Sequence, residues 1–202
     1  MSVVVKICGV RTPEDARAAV DAGADLLGLN FVPSSPRYLE PDAARRVASA
    51  AAVPLVGVFV DTAREEVLRI ADRVGLTGLQ FHGDESPAYC RGWAQQTIKA
   101  LRSRPGEDAA ARAADYDTDF ILLDTWVPGA AGGTGVALDP AVARDLPRAR
   151  LFVAGGLRPE TVADVVRALR PHGVDVASGV ERSPGVKDHD KIREFIRRAK
   201  SA

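Results

Sequence analysis

A cysteine closes the first apolar run of the chain, Val3-Val4-Val5-Lys6-Ile7-Cys8-Gly9. A thiolate there would be a soft nucleophile or base at the tip of a strand. Period-two alternation puts Lys6 on the same face, one layer below. An ammonium so placed is expected to favour the thiolate and lower the thiol pKa. The plain alternative is a small buried hydrophobe. Asp124 ends a second run, Phe120-Ile121-Leu122-Leu123-Asp124. It reads either as an acid whose pKa partial burial raises or as a cap for the Thr125-Trp126 turn.

Arg37 follows the stiff segment Pro33-Ser34-Ser35-Pro36. Its planar guanidinium suits a carboxylate or phosphate, and a surface ion pair is the alternative. His82, within Gln80-Phe81-His82-Gly83-Asp84, reads as a substrate contact whose ring titrates near neutral pH or, equally, as a hydrogen-bonded structural histidine. Asp61, at the tip of a third run, reads equally as a substrate contact or a helix cap. Three glycine turns stand out: Gly132-Gly133-Thr134-Gly135, Gly155-Gly156-Leu157 and Ser178-Gly179-Val180. Cys90 lies in a helical pattern and reads as core. There is no H-x-x-x-H, no C-x-x-C and no carboxylate cluster, so no metal site is expected.

These residues need a frame, and the hydrophobic pattern supplies one. β-branched runs predict strands over 3–7, 26–31, 55–60, 78–81, 97–100, 120–123, 151–154 and 174–177. Amphipathic stretches predict helices over 13–22, 41–51, 64–74, 86–95, 105–114, 140–146, 159–169 and 188–199. Thr12-Pro13-Glu14-Asp15 has a cap, a first-turn proline and first-turn acids, whereas Glu40 before Pro41 is a poor cap. Gly23 and Gly173 are placed as glycines just past helix ends. Eight strands alternating with eight helical stretches is the count for a (β/α)8 barrel, with several strands apolar on both faces. No G-x-G-x-x-G follows the first strand, which disfavours a doubly wound open sheet. No linker interrupts the chain, so one domain over 1–202 is expected. In such a barrel the catalytic side chains gather at the strand tips, and the loops after strands seven and eight frequently bind phosphate. Gly155, Gly156, Ser178 and Gly179 are therefore candidate phosphate contacts, with plain glycine turns the alternative.

Composition narrows the function classes. The chain has 202 residues, 46% of them hydrophobic, and 27 basic residues balance 27 acidic ones. No basic block and only 5% aromatics argue against a nucleic-acid partner. No apolar stretch reaches membrane-spanning length, no secretory signal precedes the first strand, and two cysteines make no disulfide framework. A reducing, cytoplasmic setting is expected, with the protein a monomer or a homodimer.

Taken in order, Lys6-Ile7-Cys8-Gly9, Ser35-Pro36-Arg37-Tyr38, Leu79-Gln80-Phe81-His82-Gly83, Leu123-Asp124-Thr125, Gly132-Gly133-Thr134-Gly135, Ala154-Gly155-Gly156-Leu157, Asp175 to Glu181 and Ser183-Pro184-Gly185-Val186-Lys187-Asp188 form a set. The set resembles the phosphoribosylanthranilate isomerase family of tryptophan biosynthesis along essentially the whole chain. The resemblance implies a single-domain TIM barrel that uses no cofactor and no metal. It implies a small phosphosugar substrate, N-(5-phosphoribosyl)anthranilate, which an Amadori rearrangement converts to the 1-deoxyribulose 5-phosphate. Cys8 matches the family's general base and Asp124 its general acid. Arg37 matches the arginine that holds the anthranilate carboxylate, and the Gly155-Gly156 and Ser178-Gly179 turns match the phosphate loops. The chain departs from the pattern at Val136, where a lysine is usual, at Asn30 in the second strand, and in the bulky loop Trp126-Val127-Pro128-Gly129-Ala130. A paralogue acting on a related aminosugar phosphate and a catalytically silent phosphate-binding barrel are the other readings. Retention of Cys8, Asp124 and Arg37 together disfavours the silent barrel.

Overall fold

The computed structural model describes residues 2–103, 107–125, 143 and 145–202. Eight parallel strands close into a barrel in chain order. They are β1 (Val4–Cys8), β2 (Leu26–Asn30), β3 (Leu55–Phe59), β4 (Gly78–Phe81), β5 (Gln96–Ser103), β6 (Phe120–Thr125), β7 (Leu151–Ala154) and β8 (Gly173–Val176). Closure is made by β8 on β1, with Val4 opposite Gly173 and Lys6 opposite Asp175. The helices are α1 (Pro13–Asp21), α2 (Pro41–Ala48), α3 (Arg64–Val74), α4 (Ala109–Ala114), α5 (Pro159–Leu169) and α6 (His189–Lys200).

Strand parity sorts the side chains into two layers. Val5, Ile7, Leu79, Phe81, Leu101, Ile121, Leu123, Val174 and Val176 face the helices and join the large outer core. Val56, Ile98, Ala100, Leu122, Phe152 and Ala154 fill the barrel interior, with Val4, Leu26 and Phe120 packed against them. By the same alternation Lys6, Cys8, Gln80, Asp124 and Asp175 point inward. The interior is therefore apolar at the N-terminal end of the strands and polar toward their C-terminal tips.

Local signals account for several element ends. The Thr12 hydroxyl accepts from the Asp15 N–H at 3.1 Å and caps α1, with Pro13 in the first turn. Glu40 makes no side-chain cap on α2, as its type suggests.

Two expectations about the elements fail. The helix over 86–95 is not formed: residues 87–90 make a single turn, and Gly92 takes a left-handed φ of 68°. Arg64 stands in for the missing helical bonds by donating to the Tyr89 and Arg91 carbonyls, and it stacks 3.9 Å from the Trp93 ring. Cys90 is core as expected, 1% exposed, but in that turn rather than a helix. Gly173 is not a helix terminator. Arg170 takes the left-handed position after α5, and Gly173 begins β8 where a Cβ would stand 2.3 Å from the Phe152 ring. The remaining difference is an addition: a small antiparallel pair, β9 (Glu181–Ser183) and β10 (Val186–Lys187), precedes α6. The Gly132 turn, the Trp126 loop, Val136 and most of the helix expected over 140–146 lie outside the described residues.

Candidate active site

Cys8 ends β1 and is 8% exposed. Its sulfur lies against β2, where Gly28 is its registered partner and a Cβ on Gly28 would come within 2.8 Å of Sγ. Lys6 is beneath it as expected and is fully buried. The expected lowering of the thiol pKa is not met. Burial pushes the Cys8 thiol above its ordinary value and outweighs the attraction of Lys6. Lys6 is also shared with other groups: its Nζ donates to Asp175 Oδ1 and to Gln80 Oε1, both at 2.9 Å. Asp175 pairs with that ammonium, and its own charge opposes the thiolate. For Lys6 itself burial disfavours the ammonium, but Asp175 and Cys8 together more than compensate and its pKa lies above the ordinary value.

Arg37 lies in the loop after β2, and its side chain crosses Gly9, where a Cβ would stand 2.4 Å from Arg37 Cδ. The guanidinium is thus beside the end of β1. It is held from behind by a two-pronged bond: Nε and Nη2 donate to the two oxygens of Glu181, each at 2.7 Å. Glu181 also accepts from Lys187 Nζ at 3.0 Å and from the Gly185 N–H at 3.2 Å. Burial alone would raise the Glu181 pKa, but Arg37 and Lys187 together hold it below the carboxylate range. The Arg37 pKa is raised, chiefly by its bond to Glu181. The hairpin β9–β10 is therefore the device that presents Arg37. Neither Glu181 nor Lys187 is marked as a site residue by the sequence, because an acid whose cations lie six residues downstream and 144 upstream leaves no periodic signal.

Asp124 and His82 face each other across the mouth on β6 and just past β4. Their closest approach is His82 Nε2 to Asp124 Oδ2 at 3.2 Å, with side chains 22% and 29% exposed. The other ring nitrogen, Nδ1, is 3.0 Å from Gln80 Nε2. Asp124 is thus open to a ligand on one side and hydrogen-bonded on the other. Asp61 is placed differently. It takes a left-handed φ of 47°, and its Oδ1 accepts the Asp84 N–H at 2.7 Å, so it braces the β3 and β4 loops. It does not cap α3, whose cap position is Ala63.

The turns after β7 and β8 meet. Gly155 and Gly156 take consecutive positive φ values of 83° and 64°. Gly179 passes so close to this loop that a Cβ would be 1.8 Å from the Leu157 carbonyl oxygen. Ser178 opens the short 3-10 turn Ser178–Val180, directly after β8. The rim thus gathers Cys8, Arg37, Asp124, His82 and both glycine turns, while Asp61 belongs to the supporting loops. Among the described residues no group of three or more His, Cys, Asp or Glu side chains could hold a metal ion, and no helix is long and apolar enough to cross a membrane.

Comparison with known proteins shows the family and the fold. Residues 5–198 match the family described as PRAI, N-(5'phosphoribosyl)anthranilate (PRA) isomerase. The N-(5'-phosphoribosyl)anthranilate isomerase of Pseudomonas fluorescens is 48% identical over 194 residues, covering 95% of each chain. That of Myxococcus xanthus is 48% identical and covers 100% of this chain and 98% of its own. The phosphoribosyl anthranilate isomerase of Thermotoga maritima superposes with a TM-score of 0.89 at 40% identity, covering 99% of this chain and all of that one. A further solved isomerase, in complex with reduced 1-(o-carboxyphenylamino)-1-deoxyribulose 5-phosphate, has a TM-score of 0.86 at 38% identity, with 99% and 100% coverage. The chain therefore belongs to the N-(5'-phosphoribosyl)anthranilate isomerase family, enzymes that interconvert an aldose and a ketose.

Proposed function

We propose that the whole chain, 1–202, acts as one domain that catalyses the Amadori rearrangement of N-(5-phosphoribosyl)anthranilate to 1-(2-carboxyphenylamino)-1-deoxyribulose 5-phosphate in cytoplasmic tryptophan biosynthesis. The observation that carries this reading is the placement of a buried thiol and a half-exposed carboxyl on one rim. They project inward from β1 and β6, which are separated by β7 and β8 one way round and by β2 to β5 the other.

Asp124 in its protonated form gives its proton to the ribose ring oxygen. The C1–O bond breaks and the nitrogen lone pair forms the iminium. The iminium acidifies C2–H, and Cys8 as thiolate takes that proton. The electron pair left at C2 neutralises the iminium and yields an enolamine. Its enol hydroxyl then loses a proton while C1 gains one, giving the ketone with no net change in atoms. Arg37, its Nε and Nη2 held by Glu181, receives the anthranilate carboxylate beside Cys8. The turns at Gly155-Gly156 and Ser178-Gly179 receive the phosphate.

Cys8→Ala and Asp124→Ala are each expected to lower turnover by roughly 10²–10⁴-fold, followed by the fluorescence of the anthranilate adduct. Binding of reduced 1-(o-carboxyphenylamino)-1-deoxyribulose 5-phosphate should survive in both. Full activity in either variant overturns the assignment. One Thermotoga maritima isomerase structure is described as monomers of a dimeric enzyme; light scattering decides between monomer and homodimer for this chain.

A further inference from the structure

We propose that Gln80, held by the buried Lys6, fixes His82 as the Nε2–H tautomer, and that His82 in this form is a positioning residue for Asp124. The second half of the proposal rests on the reading of Asp124 as the acid; the first half does not.

The chain of bonds has one possible direction. An ammonium only donates. Lys6 is fully buried and donates to Gln80 Oε1 at 2.9 Å. That commits the amide oxygen of Gln80, itself 1% exposed, to the Lys6 side. Turning the amide over would set its NH2 against the ammonium, donor against donor. The NH2 must therefore face His82, 3.0 Å from Nδ1. Nδ1 then has to accept, so it carries a lone pair. The one proton of a neutral imidazole falls to Nε2, 3.2 Å from Asp124 Oδ2. An imidazolium would put an N–H at Nδ1 against the amide N–H. The order is Lys6 to Gln80 to His82 to Asp124, each donating to the next. The tautomer follows from the network, as tautomers generally must.

For the carboxyl this has two consequences. Oδ2 is occupied as an acceptor, so the proton that Asp124 transfers is carried on Oδ1. Once that proton has left, the His82 N–H remains on the carboxylate and stabilises the charge without rearranging. His82 touches neither proton in transit and acts through Asp124.

The test begins with the unaltered, ligand-free protein. Long-range 1H–15N spectra of its three histidines, with His82 assigned by loss of its signals in His82→Gln, should show a pyridine-type Nδ1 and a pyrrole-type Nε2 for His82. A protonated Nδ1 overturns the proposal whatever the enzyme's activity. Gln80→Glu offers acceptors to both Lys6 and His82, so it should invert the tautomer. It should also lower kcat by roughly 10- to 100-fold, as for a lost hydrogen bond to a charged group, with KM within about twofold. His82→Gln, which keeps a donor, should retain more turnover than His82→Leu. Unchanged kcat in His82→Leu overturns the positioning role. Full activity of Asp124→Ala, by contrast, removes the catalytic reading and leaves the tautomer standing.

Discussion

β1 and β5 each bury one lysine, and the two have opposite uses. Lys6 is 0% exposed and 2.9 Å from Asp175; Lys99 is 2% exposed and 2.7 Å from Glu85. Strand parity separates them. Lys6 shares the inward face of β1 with Val4 and Cys8, so its charge lies under the site. Lys99 alternates with Ile98 and Ala100 of the interior, so it faces outward. There it donates to the Gly83 carbonyl at 2.6 Å as well as to Glu85, in the region between β4 and β5 that no helix covers. Glu85 in turn accepts the Asp61 and Gly83 N–H groups. The same kind of ion pair therefore lies under the candidate site on the inner face of the barrel and braces the helix-free β4–β5 connection on the outer face.

The most severe way to break this contrast is Lys99→Met. It leaves Glu85 buried without its cation, and a broken buried pair costs about 3–5 kcal/mol. The urea midpoint should fall accordingly, while kcat/KM of the folded fraction stays near that of the parent. Adding Glu85→Gln should recover part of the loss, because the charge is gone while an amide oxygen still accepts from the loop. If Lys99→Met instead lowers kcat in fully folded protein, the outer pair serves the site after all.

Lys6→Met should also lose stability, but its signature is in the pH profile. In the proposed mechanism Cys8 works as a thiolate, and burial already raises its pKa. Activity should therefore climb as pH rises through the thiol pKa and fall below it. Removing Lys6 removes the strongest opposing influence, so the rise moves to higher pH. A one-unit displacement is about 1.4 kcal/mol, or tenfold at a fixed pH on the rising limb. A profile that does not move would show that Lys6 has no electrical hold on Cys8.

Glu181→Gln probes the anchor of Arg37. Loss of the charged fork should raise KM more than it lowers kcat, by about 1.5–3 kcal/mol in substrate binding and positioning. It also has a stability readout. The Glu181 carboxyl titrates below its ordinary value of 4.5 in the fold, so it contributes stability above that pH and loses it as the pH falls through the lower folded value. The variant should lack this part of the acid dependence, measured by urea midpoints across the acidic range. The mildest test is Gly28→Ala. Its methyl would press on Cys8 Sγ, with an overpacking cost of about 1–3 kcal/mol at the upper end, and less if the thiol rotates away. A several-fold fall in kcat without a change in KM is expected.

Much of this was legible in one dimension. Leu55–Phe59 and Leu151–Ala154 are short apolar runs bounded by turn residues, and such runs read as buried strands. The Thr12 cap announces α1 because its partner is three residues away. Cys8 and Asp124 were conspicuous because each interrupts an apolar run at its end. The helix expected over 86–95 failed because Tyr89, Cys90 and Trp93 bury at helix-like spacing, yet Gly92 and the carbonyl-binding Arg64 let the same side chains bury without helical bonds. Gly173 gives no distinguishing signal, because a glycine after a helix looks the same in sequence whether it caps that helix or makes room for a distant ring.

What the sequence by itself determined is the alternation of strands and helices, the candidate acid, base and arginine, and the motif set that marks the family. These depend on local composition and short spacings. Tertiary structure alone decided which charges meet. Lys6 pairs with Asp175 across 169 positions, and Arg37 with Glu181 across 144. It also set the sign of the Cys8 pKa shift, since desolvation depends on everything packed around the sulfur. The direction of the Lys6–Gln80–His82–Asp124 chain belongs with these. Hydrogen-bond polarity is settled by which end of each group faces the next, and only barrel closure brings β1, β4 and β6 to a common mouth.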